Sequence, residues 1–428
     1  MLSAFLQAFR TPDLRRKLLF TLGIIAIYRI GAFVPAVGVS YPNVQQCLGA
    51  AQQNDLMGMI NLFSGGALLQ LSVFALGVMP YITASIITQL MRVVIPRFEE
   101  LHKEGSSGQA KLTQYTRYLT VGLALLQSAV VVTVANNGLF PGCPVDPVPD
   151  TSPIALLVTV ISLTAGTVLI MWFGELITER GVGNGMSLLI FVSIAASFPS
   201  AMLTVGRGDG GVGRFALIVG LLLVITLVIV FVEQSQRRIP VQYAKRMVGR
   251  RTYGGSSTYI PLKINMANVI PVIFASSILM LPTMAAQFGD PTEGWVQWVL
   301  VNFSPQSAGY MILMAVMILF FAFFYTSITF NPEEISDNMK RAGGFIPGIR
   351  AGRPTAEYLR YVTTRITTVG AIYLTIVALI PTIALAAMNV TQLPFGGTSI
   401  IIVVGVGLQT VKEINSQLQQ HHYEGFLR

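Results

Sequence analysis

Apolar residues in this chain are gathered into runs of roughly 20, bounded by charge, glycine or proline, and ~20 residues is the length that carries a helix across ~30 Å of hydrocarbon. Ten such runs occur, near 18–35, 72–94, 118–134, 154–173, 187–203, 215–232, 266–284, 310–330, 369–388 and 396–411. They predict ten transmembrane helices. Arg15-Arg16-Lys17 followed by an apolar run from Leu18 to about Pro35-Ala36-Val37-Gly38 has the outline of a secretory signal. It reads instead as an uncleaved first span, because the later segments need it to set their topology. Ahead of it, Met1 to Phe9 is short and amphipathic (Leu2, Phe5, Leu6, Phe9), a pattern suited to the membrane surface.

One stretch exceeds a single crossing. From Leu56 to Ile95 the chain is mostly apolar for ~40 residues, twice what one span needs. It is broken at Ser64-Gly65-Gly66, where helix continuity is weak. The economical reading is a re-entrant half-helix over about Ile60-Asn61-Leu62-Phe63-Ser64-Gly65-Gly66-Ala67-Leu68-Leu69-Gln70-Leu71, followed by a full span from Ser72. In lipid a half-inserted segment is tolerated only if protein surrounds it or it lines a cavity. A surface hairpin with no part in transport is the alternative.

Composition narrows the class. Of 428 residues 53% are hydrophobic and 11% charged, and the mean hydropathy is +0.65. A soluble domain carries about 25% charged residues. Soluble enzyme, nucleic-acid module and disordered chain are therefore excluded, and DNA is no partner. The fold class is an all-α polytopic membrane protein. Of the 28 Lys and Arg, 25 fall in alternate segments counted from the N-terminus; Arg207 and Arg214 lie in the other set and Arg29 lies within the first span. The 19 acidic residues divide 13 to 6 the same way. The positive-inside bias then puts both termini and the basic loops in the cytoplasm. Cys47 and Cys143 cannot make a four-ligand zinc site, and His102, His421 and His422 sit in polar segments, so no metal is expected. The two cysteines fall on the outer side, where a disulfide is possible but its geometry is not readable.

The chain also repeats itself. Val78-Met79-Pro80-Tyr81-Ile82-Thr83-Ala84-Ser85-Ile86-Ile87 and Val269-Ile270-Pro271-Val272-Ile273-Phe274-Ala275-Ser276-Ser277-Ile278 share six of ten positions at an offset of 191. They lie in spans 2 and 7, each the second of five, and those spans run in opposite directions. Spans 5 and 10, the two shortest runs, again stand at matching places. Short or proline-interrupted helices in two inverted halves point to a pathway between the halves near the midplane. The organisation expected is a segment 1–17, an N-terminal half 18–205, a hinge loop 206–214, a C-terminal half 215–411 with basic loops 233–265 and 331–368, and a tail 412–428.

Catalytic signatures are missing. Gly208-Asp209-Gly210-Gly211-Val212-Gly213 formally satisfies GxGxxG, but no βαβ unit surrounds it. No P-loop, HExxH or nucleophile elbow occurs, so neither enzyme nor cofactor is indicated. An ion-coupled transporter keeps ionisable residues within its spans. Here only Arg29 is clearly intramembrane, while Glu175, Glu179 and Glu233 fall at span ends. What lies at the expected interface is aliphatic: Val78 and Ile82 four apart on span 2, Met186 and Ile190 four apart on span 5, and Ile273 answering Ile82 in the repeat. Ordinary helix packing would explain any one of them. As a set, they suit a cargo without fixed shape or charge, parting around a chain and holding back ions by dewetting. The alternatives are an ion-coupled secondary transporter of a small apolar solute, which the lack of intramembrane carboxylates argues against, and a membrane scaffold, which leaves the broken half-helix unexplained.

At these residues the chain resembles the SecY family of bacterial preprotein-conducting channel subunits, over essentially its full length. The likeness is carried by Asn61-Leu62-Phe63-Ser64-Gly65-Gly66-Ala67, Ala75-Leu76-Gly77-Val78-Met79-Pro80-Tyr81-Ile82, Gln114-Tyr115-Thr116-Arg117-Tyr118, Ile177-Thr178-Glu179-Arg180-Gly181-Val182-Gly183-Asn184-Gly185, Pro261-Leu262-Lys263-Ile264-Asn265-Met266-Ala267 and Phe395-Gly396-Gly397-Thr398-Ser399. The resemblance implies ten spans in two pseudo-symmetric halves and an hourglass pore closed by a ring and a plug. The ring falls on Val78, Ile82, Ile190, Ile273 and Ile402 with Met186 adjacent, Val78 and Met186 departing from pure isoleucine. The plug falls on Ile60–Leu71, and a lateral gate on spans 2 and 3 facing 7 and 8.

The resemblance further implies docking of the SecA motor ATPase and the ribosome on the basic loops, at Arg237, Arg238, Lys245, Arg246, Arg250 and Arg251 in the first and Lys340, Arg341, Arg350 and Arg353 in the second. Read from the residues alone, such loops could also merely enforce topology. The apolar tip Phe345-Ile346-Pro347-Gly348-Ile349 beside Arg350 favours docking. SecE-like and SecG-like small subunits, unfolded preproteins with signal sequences, and membrane lipid complete the implied partners.

Overall fold

The computed structural model describes residues 9, 11–51, 64–137, 145–207, 211–243, 246–248, 251–253, 257–286, 293–304, 307–387 and 396–426. Its first stretch holds α1 (Pro12–Gly31), α2 (Tyr41–Ala51), α3 (Met79–Val94), α4 (Pro96–Lys103), α5 (Ser106–Asn137), α6 (Pro153–Arg180), α7 (Gly185–Arg207) and α8 (Gly211–Gln234). Strands β1 (Gln236–Tyr243), β2 (Arg246–Val248), β3 (Arg251–Tyr253) and β4 (Ser257–Lys263) follow. Then come α9 (Ile270–Ala286), α10 (Gly294–Asn302), α11 (Ala308–Thr329), α12 (Pro332–Arg341), β5 (Gly344–Phe345), α13 (Arg353–Ala387) and α14 (Gly397–Phe426). Helices α1, α3, α5, α6, α7, α8, α9, α11, α13 and α14 stand at the ten expected spans. Except for Phe9, the amphipathic N-terminal piece lies outside the described residues.

Local chemistry sets where several helices begin. Pro12, Pro80 and Pro153 occupy the first turns of α1, α3 and α6, where a missing N–H costs nothing and the fixed φ suits a helix. Pro271 holds the same place in α9. The prolines of the ten-residue repeat thus start two helices rather than interrupt them. Ser152 caps α6 by accepting from the Ala155 amide at 3.4 Å.

Among the described residues, six helices are by length and composition apolar enough to cross a membrane, with two shorter apolar ones at Gly185–Pro199 and Ile270–Thr283. The apolar window of Phe215–Gln234 is only 17% buried, so most of that face points outward, the arrangement of a helix bathed in lipid. The shortest of the ten are α3 and α9, with 16 and 17 residues. Expected spans 5 and 10 are longer, since α7 and α14 run for 23 and 30 residues. A helix does not stop where hydrophobicity does: α7 continues through Pro199, and α14 past Lys412 into polar sequence. Of the hinge anticipated at 206–214, helix occupies 206–207 and 211–214, and 208–210 lie outside the described residues.

Helix α3 starts at Met79 rather than near 72 because Ser64 to Val78 run as successive turns. The half-helix expected over Ile60–Leu71 is therefore not helical from Ser64 onward, and Ile60, Asn61, Leu62 and Phe63 lie outside the described residues. Positive φ at Gly65 (68°), Gly66 (94°), Leu71 (45°) and Gly77 (56°) is incompatible with a continuous right-handed helix. The turns are held from outside. The Ala36 amide donates to the Leu71 carbonyl and the Val73 amide to the Val34 carbonyl, both at 2.9 Å.

Packing among the first five of these helices runs α1 on α6, α3 on α5, α5 on α6 and α6 on α7; among the last five it runs α9 on α11, α11 on α13, α13 on α14 and α8 on α14. The two groups meet through α3 on α9, α7 on α14 and α7 on α8. A single large cluster of buried apolar side chains fills the space between them.

Outside the spans the chain is not all helical. The basic loop after α8 is a hairpin in which β1 pairs antiparallel with β4, Gln236 opposite Lys263 through Gln242 opposite Ser257. The second basic loop joins the same sheet, since β5 pairs with β1 at Gln242 and Tyr243. Ile239, Val241, Leu262, Met339, Ile346, Leu359 and Val362 form its core. Two stretches read as separate loops are one body.

Gly166 shows how tightly the turns are clasped. A Cβ there would fall inside the van der Waals shell of the Val73 carbonyl. Gly166→Val is expected to lower stability by about 1–3 kcal/mol through overpacking, read as an earlier thermal midpoint in mild detergent.

Candidate functional site

Where the two helix groups meet, four helices contribute one aliphatic knot. Val78 precedes α3 and Ile82 lies one turn on; Met186 and Ile190 have the same spacing at the start of α7; Ile273 opens α9; Ile402 comes from α14. All six are buried and belong to the same apolar cluster, Val78 and Ile402 with no exposure at all. The spacing of four aligns each pair on one face. Convergence of four helices from distant parts of the chain is the tertiary contribution.

On one side of the knot lies a cavity of about 360 Å³. Ile82, Met186, Ile190 and Ile273 line it together with Gln89, Thr113, Arg117, Glu175, Glu179, Asn184 and Ser187. It is a vestibule whose wall mixes polar and charged side chains with aliphatic ones. Two of its charges pair with each other. The Arg117 Nε and Nη2 each donate to a separate Glu175 carboxylate oxygen at 2.8 Å, a bidentate pair that ties α5 to α6. A hydroxyl bond from Thr116 to Thr88 at 3.1 Å joins α5 to α3. Glu175 is thus neither free nor a candidate ion ligand, a pairing hidden by the 58 residues between the partners.

On the other flank stand the turns Ser64–Val78. Ala67 belongs to the same cluster as the knot, and Leu69 and Leu71 pack with Val44, Cys47, Val130 and Val148. Ser64 Oγ accepts from the Leu68 amide at 3.0 Å, which tightens the turn. Gly66 and Gln70 lie within the same run. Arg29 Nη1 donates to the Gly65 carbonyl at 2.8 Å. Next to it, the buried Tyr28 hydroxyl shares a 2.6 Å hydrogen bond with Ser193 on α7. The sequence supplied no partner for Arg29, because a backbone carbonyl leaves no mark in residue identities. Cys47 is disulfide-bonded, and Cys143 lies outside the described residues.

The basic sites expected for docking divide. Arg350 and Arg353 are exposed, and Arg353 pairs with Glu357 at 3.2 Å. Arg237 and Arg238 are exposed on β1, Arg238 lying over the Tyr259 ring at 4.8 Å. Lys340 and Arg341 end α12, also exposed. Arg246 and Arg251 place their backbones in β2 and β3, which pair with each other, while Lys245 and Arg250 lie outside the described residues. The apolar tip is only partly free. Phe345 is exposed, but Ile346 is buried in the sheet's core.

At the base of this sheet is a polar knot the sequence did not reveal. Asn265 Nδ2 donates to the Glu233 carboxylate at 2.5 Å and to the Asn268 carbonyl at 3.0 Å. Lys412 Nζ donates to the Glu233 carbonyl at 3.0 Å. The end of α8, the exit of the hairpin and α14 are thereby tied together. Among the described residues no group of three or more His, Cys, Asp or Glu is placed to hold a metal ion.

A multi-pass helical membrane protein with a buried aliphatic knot between a vestibule of mixed lining and an irregular clasped segment is the class that this geometry defines. The SecY family model matches residues 72–411. The chain is 60% identical to the protein translocase subunit SecY of Streptomyces coelicolor and 57% identical to that of Mycobacterium tuberculosis, in each case over the whole of both chains. Among solved structures it is similar to a protein-conducting channel, with a TM-score of 0.65 and 17% identity over 94% of this chain and 92% of that one. It is also similar to Sec61 in the canine ribosome–channel complex from the endoplasmic reticulum, with a TM-score of 0.60, 17% identity and the same coverage. The chain belongs to the SecY family.

The Arg117–Glu175 pair generates a direct test. Arg117→Met leaves a carboxylate that is 17% exposed without its cation. Stability is expected to fall by about 1–2 kcal/mol, less than the ~3–5 of a fully buried broken pair, because Arg117 itself is 39% exposed. Thermal unfolding in detergent measures it, and an unchanged midpoint would mean that solvent already carries the charge.

Proposed function

We propose that this protein is the pore through which unfolded secretory polypeptides cross the bacterial plasma membrane and from which hydrophobic segments pass sideways into lipid. It performs no catalysis of its own. The observation that carries the reading is the convergence of Val78, Ile82, Met186, Ile190, Ile273 and Ile402 in one buried cluster beside a vestibule of mixed lining, in a chain of the SecY family. An aliphatic constriction has no geometry that selects a solute. It dewets when empty, which blocks ions, and its side chains part around an extended chain. A secondary transporter of a small apolar solute would need a coupling-ion site, and Glu175 is engaged by Arg117.

In this reading the two groups of five helices are inverted halves, and the turns after Phe63 are the part of the plug that sits against the ring. Apolar segments leave where α3 and α5 face α9 and α11. Both termini and the basic sheet are cytoplasmic, following the positive-inside distribution. That sheet, with Arg350 and Arg353 exposed at its margin, is where a SecA-type motor ATPase and the ribosome dock in turn and supply the energy. The similarity to Sec61 in a ribosome–channel complex supports the second of these. SecE-like and SecG-like small subunits brace the halves.

Two measurements test this. Replacing Ile82 and Ile273 together by Gly widens the constriction, and the resting channel is expected to pass ions in planar bilayers; unchanged conductance would place the seal elsewhere. Arg350→Glu reverses charge at the docking surface. It is expected to abolish motor-driven transport into vesicles while the protein itself still inserts and assembles, and full transport would remove Arg350 from the docking site.

A further inference from the structure

Arg29 is the charged side chain that hydropathy places inside the first span, and the vestibule does not use it. It sits in the last turn of α1, where the helix dipole favours a cation. Among the described residues no carboxylate pairs with it. Its guanidinium instead donates to the Gly65 carbonyl at 2.8 Å and lies over the Phe33 ring at 5.4 Å. A charge within the membrane is retained only where it is satisfied, and here a main-chain oxygen of an irregular segment does so.

The surroundings make that contact specific. Gly65 adopts φ 68°, and a Cβ on it would stand 3.0 Å from Arg29 Nη1 and 3.1 Å from the Ser193 Cα. The turn is thus wedged between α1 and α7. The preceding residue, Tyr28, closes the same corner through its bond to Ser193 and its stacking on Phe74, ring centroids 5.7 Å apart. At its far end the segment is held by the main-chain bonds of Leu71 and Val73 to the strand-like exit of α1. Among its described residues the segment therefore has a main-chain anchor at its exit and a charged side-chain anchor at Gly65. The anchor at Gly65 is the one that breaks if residues before Leu68 swing away while the exit stays fixed.

We propose that Arg29 is the latch of the resting seal: a positioning residue whose guanidinium holds the Gly65 carbonyl and must release it for the pore to open. This rests on reading the 60–71 segment as the plug. Charge-assisted hydrogen bonds are the strong class, and displacement of the turn leaves the guanidinium without its acceptor. Opening is therefore resisted more than apolar packing alone would resist it.

The test is resting ion conductance of the full-length channel in planar bilayers. Arg29→Gln is expected to raise the resting open probability about ten-fold, equivalent to ~1.4 kcal/mol removed from the closed state. Arg29→Lys, which keeps the charge and a donor but not the planar fork, is expected to fall between the two, and it is the variant measured if Arg29→Gln does not assemble. A second channel lacking residues 60–71 separates the premises. If that deletion leaves conductance unchanged, the plug reading fails; if it leaks while Arg29→Gln and Arg29→Lys do not, the latch alone fails. In the deleted background Arg29→Gln is expected to add nothing, the non-additivity of two groups acting as one. A further ten-fold rise there would make Arg29 a structural residue and overturn the proposal.

Discussion

Inside a bilayer a backbone amide has no water to bond, so non-helical chain persists there only when protein encloses it. The turns from Ser64 to Val78 are such chain, and much of the architecture follows from enclosing them. Helix α1 supplies main-chain partners beyond its end and the Arg29 side chain before it. Helix α6 brings Gly166 against the Val73 carbonyl because a larger residue would not fit. Helix α7 contributes Ser193, held by Tyr28. A regular helix would have satisfied its own backbone and needed none of these neighbours. An irregular segment leaves its backbone groups to its neighbours, and the surrounding contacts define where it sits.

The aliphatic knot depends on the same enclosure. Six side chains from four helices meet where short α3 and α9, each with a proline in its first turn, pack against each other. Their first turns carry Ile82 and Ile273, the matching members of the repeat. In the vestibule wall Arg117 takes both oxygens of Glu175. The six side chains of the knot carry no charge and no hydrogen-bonding group, so nothing in it is built to recognise one side chain over another.

The basic loops acquire a structure that connects them to the aliphatic knot. One three-stranded sheet, ordered β4-β1-β5, unites both loops over a shared apolar core. The Glu233–Asn265–Lys412 knot then joins the base of that sheet to α14, the helix that carries Ile402. The Glu233–Asn265 bond is buried and the Lys412 bond partly so, and moving the sheet away from α14 would unmake both.

Residue order alone determined the number and places of the ten spans, the segregation of positive charge, the break at Ser64-Gly65-Gly66, and the aliphatic pairs that the fold gathers into one buried cluster, because run length, charge and a spacing of four are properties of neighbours along the chain. It misplaced the shortest spans, since helix propagation outlasts hydrophobicity in α14 and is cut short by left-handed residues before α3. It gave no sign that a sheet joins the two basic loops. Only the tertiary structure decided what Arg29, Glu175 and Glu233 do. Their partners stand 36, 58 and 32 residues away, with Lys412 at 179, and two of the acceptors are main-chain carbonyls that every residue type possesses. Which carbonyl meets which cation is settled by how helices close around an enclosed segment, and that closure is written in no local pattern.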